Sequence, residues 1–176
     1  MKYYNASLNT RLILAFISGA MVFPISFLEN INPVLFLDVS LSDVFIGAIF
    51  AILVMAPFQK RKNWLKSVLM IIASIAIYTF MVHLAVTKYA MFSLNINYDM
   101  GVIISGGFGA LLTGVAVQLF APIKLKSIGY LILIIFGLLA GYVFSHTIDS
   151  QSSLINSIGF IIWQGLVCLA MALFKK

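Results

Sequence analysis

Charge is what this chain lacks. Only 9% of its 176 residues are charged and only five are acidic. A soluble domain carries roughly a quarter charged residues, so this chain cannot cover a water-facing surface. Cysteine is nearly absent as well. The single Cys168 lies in an apolar run, which excludes an intrachain disulfide. No C-x-x-C or H-x-x-x-H spacing occurs, so neither a metal nor a cofactor is expected. H-E-x-x-H, G-x-S-x-G, G-x-G-x-x-G and Walker loops are missing too, and the chain does not read as an enzyme. No Asp, Glu, Lys or Arg stands in the middle of an apolar run. Such groups mark proton relays, ion pathways and intramembrane catalysis. Their absence argues against a carboxylate-driven proton pump, an intramembrane aspartyl protease and a phosphatase acting on charged headgroups. Low-complexity linkers are absent, so residues 1–176 read as a single integral membrane domain.

What is there is apolar. The composition is 62% hydrophobic and the mean hydropathy is +1.11. Six runs stand out, roughly Leu12–Leu28, Ser42–Pro57, Ser67–Thr87, Gly101–Ala121, Ile128–His146 and Ser157–Phe174. A helical span needs about 20 residues. The fold expected is therefore all-α, a polytopic transmembrane bundle of six spans. The second run is short at 16 residues. It is expected to borrow from the stretch "NPVLFLDVSL" before it or to sit where the bilayer thins.

The basic residues set an orientation. Of the 11 Lys and Arg, all but Lys88 fall before the first run, after the last, or in the second and fourth connections. Six spans put those places on one side, which predicts that both termini are cytoplasmic. All five acids fall on the other side, which is consistent. The first run lacks an A-x-A-like end and reads as a retained span. Asn5-Ala6-Ser7 matches a glycosylation sequon that a cytoplasmic N-terminus cannot use. Trp64, Tyr89, Tyr98 and Tyr130 suit the interfacial aromatic belt. The basic clusters suit anionic headgroups. No cytoplasmic segment of domain size exists to bind nucleic acid. The lipid bilayer is the expected partner, in the setting of a bacterial cytoplasmic (inner) membrane.

Glycines mark how the helices meet. "SGGFGALLTG", residues 105–114, lies inside the fourth run. Backbone in hydrocarbon must bond internally, so this segment must be helical despite four glycines. Gly106, Ala110 and Gly114 then share one face, with Ser105, Gly109 and Thr113 in a row beside it. Gly137 and Gly141 repeat the device in the fifth run, and Ala15-x-x-x-Gly19 and Gly47-x-x-x-Ala51 are weaker versions. Small residues let helices approach closely. The stripe serves packing within the chain, or it presents a docking face to another membrane protein or a second copy.

Polar groups inside the runs are the candidates for a site. Gln118 and Gln164 need hydrogen-bond partners there. They are helix glue, or they line a solute path with Tyr78 and Tyr142, to which Ser74, Thr79 and Trp163 can add. His83 and His146 lie near the outer ends of their helices, as interfacial residues or as a titratable mouth. An enzyme would need one of them beside a hydroxyl or carboxylate in a cleft. Pro24 removes the N–H that the Ala20 carbonyl would accept and should kink the first span. A kink is tolerated in membranes and can also serve a gate. Ala56-Pro57 and Ala121-Pro122 each precede a basic loop and a helix carrying Tyr-x-Phe and His, a pattern that resembles a parallel hairpin duplication.

In layout, six spans with both ends inside and under 200 residues, the chain resembles the substrate-capture subunits of modular vitamin importers. Ala15-x-x-x-Gly19 is the nearest thing to a shared motif. The resemblance implies a solute-binding membrane subunit. The function expected is transport of a small solute or lipid, alone or as such a subunit. The alternative is a non-catalytic accessory, assembly or immunity protein acting through helix contacts.

Overall fold

A computed structural model describes residues 6–26, 34–36, 39–59, 63–87, 98–121, 123–148 and 153–175. Six helical segments in it are long and apolar enough to cross a membrane: Leu8–Ile25, Leu41–Phe58, Trp64–Ala85, Met100–Phe120, Ser127–Thr147 and Ser157–Phe174. The polytopic helical bundle expected from hydropathy is the architecture found. The Asn5 sequon, the basic cluster at 60–62, Lys88, Tyr89, Pro122 and the acids Glu29, Asp38 and Asp149 lie outside the described residues.

The first span is α1 (Leu8–Ala20) followed by α2 (Val22–Ser26). Ser7 caps α1, its hydroxyl accepting from the Thr10 N–H at 3.2 Å. The helix is interrupted at Met21, where Pro24 withholds the N–H that the Ala20 carbonyl would take.

The second span differs from expectation at its start. Of the stretch before it only Leu41 joins the helix. Val34–Phe36 (β1) pairs antiparallel with Val39–Ser40 (β2) instead. Helix α3 (Leu41–Phe50) begins at once behind a capping box. The Ser40 N–H donates to Asp43 Oδ2 at 3.0 Å, and the Asp43 N–H donates to Ser40 Oγ at 3.2 Å. That reciprocal cap explains why the helix starts there. A π turn at Ala51–Met55 and a 3₁₀ turn at Ala56–Phe58 complete the span. Pro57 has no N–H to continue an α-helix.

The remaining spans are α4 (Trp64–Thr87), α5 (Tyr98–Phe120), α6 (Ser127–Ile148) and α7 (Ser153–Phe174). Each packs on its sequence neighbour from α3 to α7. Helix α7 returns to α1, which meets the π turn and α3 and closes the ring.

Lipid tails are as apolar as leucine, so close packing rather than water exclusion holds such helices together. The contact between α5 and α6 shows how. A Cβ on Gly106 would stand 2.5 Å from the Gly137 carbonyl oxygen and 3.0 Å from Gly141 Cα. A Cβ on Gly114 would stand 2.6 Å from Leu133 Cδ1. Ala110 is fully buried in the same seam. Gly19 meets Ile161 of α7, and Gly47 meets Ile75 of α4, in the same way. The small-residue stripes therefore face neighbours within the chain. Large apolar side chains such as Trp64, Leu119, Ile13 and Ile72 point outward, each more than half exposed. In water such a surface would be a liability; in a bilayer it meets lipid.

One end of the bundle gathers the start of α1 and the end of α7. The Lys126 N–H donates to the Phe174 carbonyl at 3.0 Å, and Leu125 pairs with Lys175. The Arg11 guanidinium lies 4.3 Å above the centre of the Phe58 ring. Phe58, Met55, Met70, Leu133 and Met171 fill the core there.

Candidate functional site

A partly enclosed cavity of about 100 Å³ lies between α3, α4, α5, α6 and α7. It occupies the half of the bundle away from the two chain ends. Helix α4 contributes Ser74 and Tyr78, and α7 contributes Phe160, Trp163 and Gln164. Phe50 enters from the last position of α3, where the π turn begins. Gly106 and Gly141 line it where α5 and α6 meet.

Aromatic rings shape the walls. Trp163 sits tilted on Phe50 with ring centres 5.4 Å apart. Phe160 meets Phe144 edge-on at 4.8 Å and Tyr78 at 6.0 Å. Gly109 makes room for the indole, since a Cβ there would lie 3.3 Å from Trp163 Cζ2. The Trp163 N–H donates to the Gly106 carbonyl at 3.2 Å and pins the ring to α5. Gly106 is the acceptor in the middle of a helix, a carbonyl that a second donor can reach because no side chain shields it.

The polar groups of the wall divide into engaged and unengaged. Ser74 Oγ donates to the Gly47 carbonyl at 2.7 Å, which ties α4 to α3. Ser105 Oγ donates to the Val102 carbonyl at 2.8 Å within its own helix. Gln164 is only 1% exposed, and its Oε1 is buried without a hydrogen-bond partner. Leaving a buried acceptor unmet costs about 1–3 kcal/mol. Among the described lining residues none is charged. The described walls offer no nucleophile paired with a base. No family model, curated protein or solved structure matches the chain.

The residues singled out from sequence are distributed unevenly about this cavity. Gln164 and Tyr78 line it, with Ser74 and Trp163. Gln118 does not. It is exposed in the last turn of α5, where its Oε1 accepts from the Tyr130 hydroxyl at 2.5 Å and the Leu125 N–H at 3.3 Å. It clamps the turn between α5 and α6. Tyr142 is also outside the cavity, 53% exposed, with its ring edge-on to His146 at 4.6 Å. His146 is exposed and His83 is half-buried; neither lines the cavity. The two Tyr-x-Phe pairs are turned oppositely. Tyr78 faces the cavity and Phe80 is exposed, whereas Phe144 faces the cavity and Tyr142 is exposed.

One residue of note was read from sequence only as an orienting charge. Arg11 is 2% exposed and its Nε has no partner. Gln59, next to the Phe58 ring that Arg11 covers, is 1% exposed with Nε2 unpartnered. Its Oε1 accepts from Ser67 Oγ at 3.2 Å. The only sequence signal for Arg11 was its place at the rim of an apolar run, followed by seventeen residues without charge.

Proposed function

We propose that this multi-pass membrane protein takes part in the transport of a small solute, alone or as the membrane subunit of a larger carrier. The cavity between α3 and α7 is where the solute sits. The observation that supports this reading is the cavity itself: a void walled by aromatic rings, with one carboxamide oxygen left unmet. Its volume of about 100 Å³ suits a small solute and not a whole lipid, since drug-sized pockets start near 300 Å³. The described walls hold no acid–base constellation, and the reading proposed is binding and passage of a solute rather than its conversion.

The alternative was an accessory, assembly or immunity protein that docks through an exposed small-residue stripe. Gly106, Ala110, Gly114, Gly137 and Gly141 pack inside the chain at the α5–α6 contact instead, so no observation favours it. A partner subunit or second copy would meet the bundle on a lipid-facing side.

The test is a panel of small neutral solutes added to purified protein in detergent, read as a melting-temperature shift. Ser105→Leu is the control, because it fills part of the cavity at the loss of one intrahelical bond. A solute that stabilises the wild type and not Ser105→Leu should also cross proteoliposomes faster with the wild type. Equal shifts in both proteins would place the solute elsewhere and remove the reading.

A further inference from the structure

We infer that the molecule held in this cavity is uncharged, no larger than one substituted aromatic ring, and donates a hydrogen bond to the Gln164 carboxamide. The inference rests on the cavity being a ligand site, as proposed above.

The absence of charge follows from the wall. No described lining side chain carries one, and an unpaired ion in such surroundings costs far more than hydrogen bonds return. Size follows from volume. An apolar cavity of about 150 Å³ admits benzene, so one of about 100 Å³ admits a single ring with few substituents once its walls give slightly. The walls also suit a ring. Phe50, Phe160 and Trp163 already meet one another or their neighbours in tilted and edge-on contacts, the arrangements aromatic quadrupoles prefer.

The donor follows from counting partners. Ser74, Ser105 and Trp163 have given their hydrogens to backbone carbonyls. Gln164 Oε1 has received none. The wall therefore offers an acceptor and has assigned these donors elsewhere. The ligand that completes it brings an O–H or N–H. Gln164 lines the cavity and its Oε1 is buried there without a partner; the last side-chain torsion is broad, so the oxygen can turn to meet a donor in the cavity.

The probes are phenol, which is a ring with a donor, anisole, which lacks the donor, and acetophenone, which only accepts. Benzylammonium tests charge. The chain has two tryptophans, and Trp64 is 71% exposed. Trp64→Phe leaves Trp163 as the sole reporter in the cavity wall. Binding is read from Trp163 emission, excited at the red edge of the indole band. Phenol should bind the purified protein at least tenfold more tightly than anisole, about 1.4 kcal/mol. Gln164→Leu should erase that ratio, and the wild-type ratio stands as a measurement even if that variant fails to fold. Phenol and anisole binding equally would overturn the role of Gln164 and leave the cavity reading intact. Acetophenone binding more tightly than phenol would make the amide a donor and overturn the inference. Benzylammonium binding as tightly as phenol would overturn neutrality. No response to any probe, in the wild type as in Ser105→Leu, would overturn both this inference and the cavity as a ligand site.

Discussion

Gln164 and Arg11 are both buried with a polar atom left without a partner, and they sit in different halves of the bundle. An unmet buried group destabilises, and replacing it by an apolar residue of similar shape is neutral or stabilising. Arg11 gains something from the Phe58 ring, since a desolvated cation–π contact is worth about 2 kcal/mol. Among the described residues no carboxylate faces the guanidinium, and a buried charge without a counter-ion costs several kcal/mol, more than the ring returns. Arg11→Met keeps the packing stem and removes the charge. Its melting temperature should equal or exceed the wild type. Gln164→Leu should do the same while erasing the preference for phenol over anisole. A clear drop for Arg11→Met in a thermal melt would mean that the guanidinium has a counter-ion in the membrane.

At the scale of elements, the α5–α6 seam decides the sign of a substitution that helix propensity alone gets wrong. Gly to Ala in a helix interior gains roughly 0.5–1 kcal/mol in water. At Gly137 the new Cβ would lie 2.7 Å from Ala110 Cβ and 2.9 Å from Gly107 Cα. Backbone cannot yield as a side chain can, so the helices must part. At Gly165 the nearest atom is the edge of the Phe16 ring at 3.6 Å, an ordinary contact. Gly137→Ala should lower stability by about 1–3 kcal/mol, and Gly165→Ala should leave it unchanged or raise it. Side-by-side thermal melts in one detergent check the pair, and equal effects would deny the seam its tight contact.

The elements were legible because a span is a property of composition. Long runs without charge, ended by Pro57 or by lysines, can only be helices in lipid. Which way each helix faces was not legible. The spans are apolar nearly all round, so no face is marked as inward. Tyr78 and Tyr142 occupy like positions in like sequences, yet one lines the cavity and the other is exposed. Gln164 stood out as polar within an apolar run and is indeed in the wall. Gln118 stood out equally, but two residues from the end of α5 its side chain reaches the following turn. The ladder before α3 was missed because the capping box of Ser40 and Asp43, which stops the helix there, was read as part of a longer apolar stretch.

The whole molecule brings its charge to one end. Arg11, Lys66, Lys124, Lys126 and Lys175 lie at the end where α1 begins and α7 finishes, joined there by the Lys126–Phe174 hydrogen bond and the Leu125–Lys175 pair. Positive residues flanking short loops are retained in the cytoplasm, and this predicts that end to be cytoplasmic and the cavity half to face outward. Single-cysteine labelling tests it with little background, because Cys168 is the only cysteine and is buried. Asn63→Cys and Lys124→Cys are at exposed positions by the basic end. They should react with a membrane-impermeant maleimide only after the cells are opened. Met100→Cys and His146→Cys are at exposed positions by the other end, and should react in intact cells. The reverse pattern would put the cavity on the cytoplasmic side. A solute bound there would then be one awaiting export, and the charge rule would have failed for this chain despite ten of its eleven basic residues, all but Lys88, agreeing.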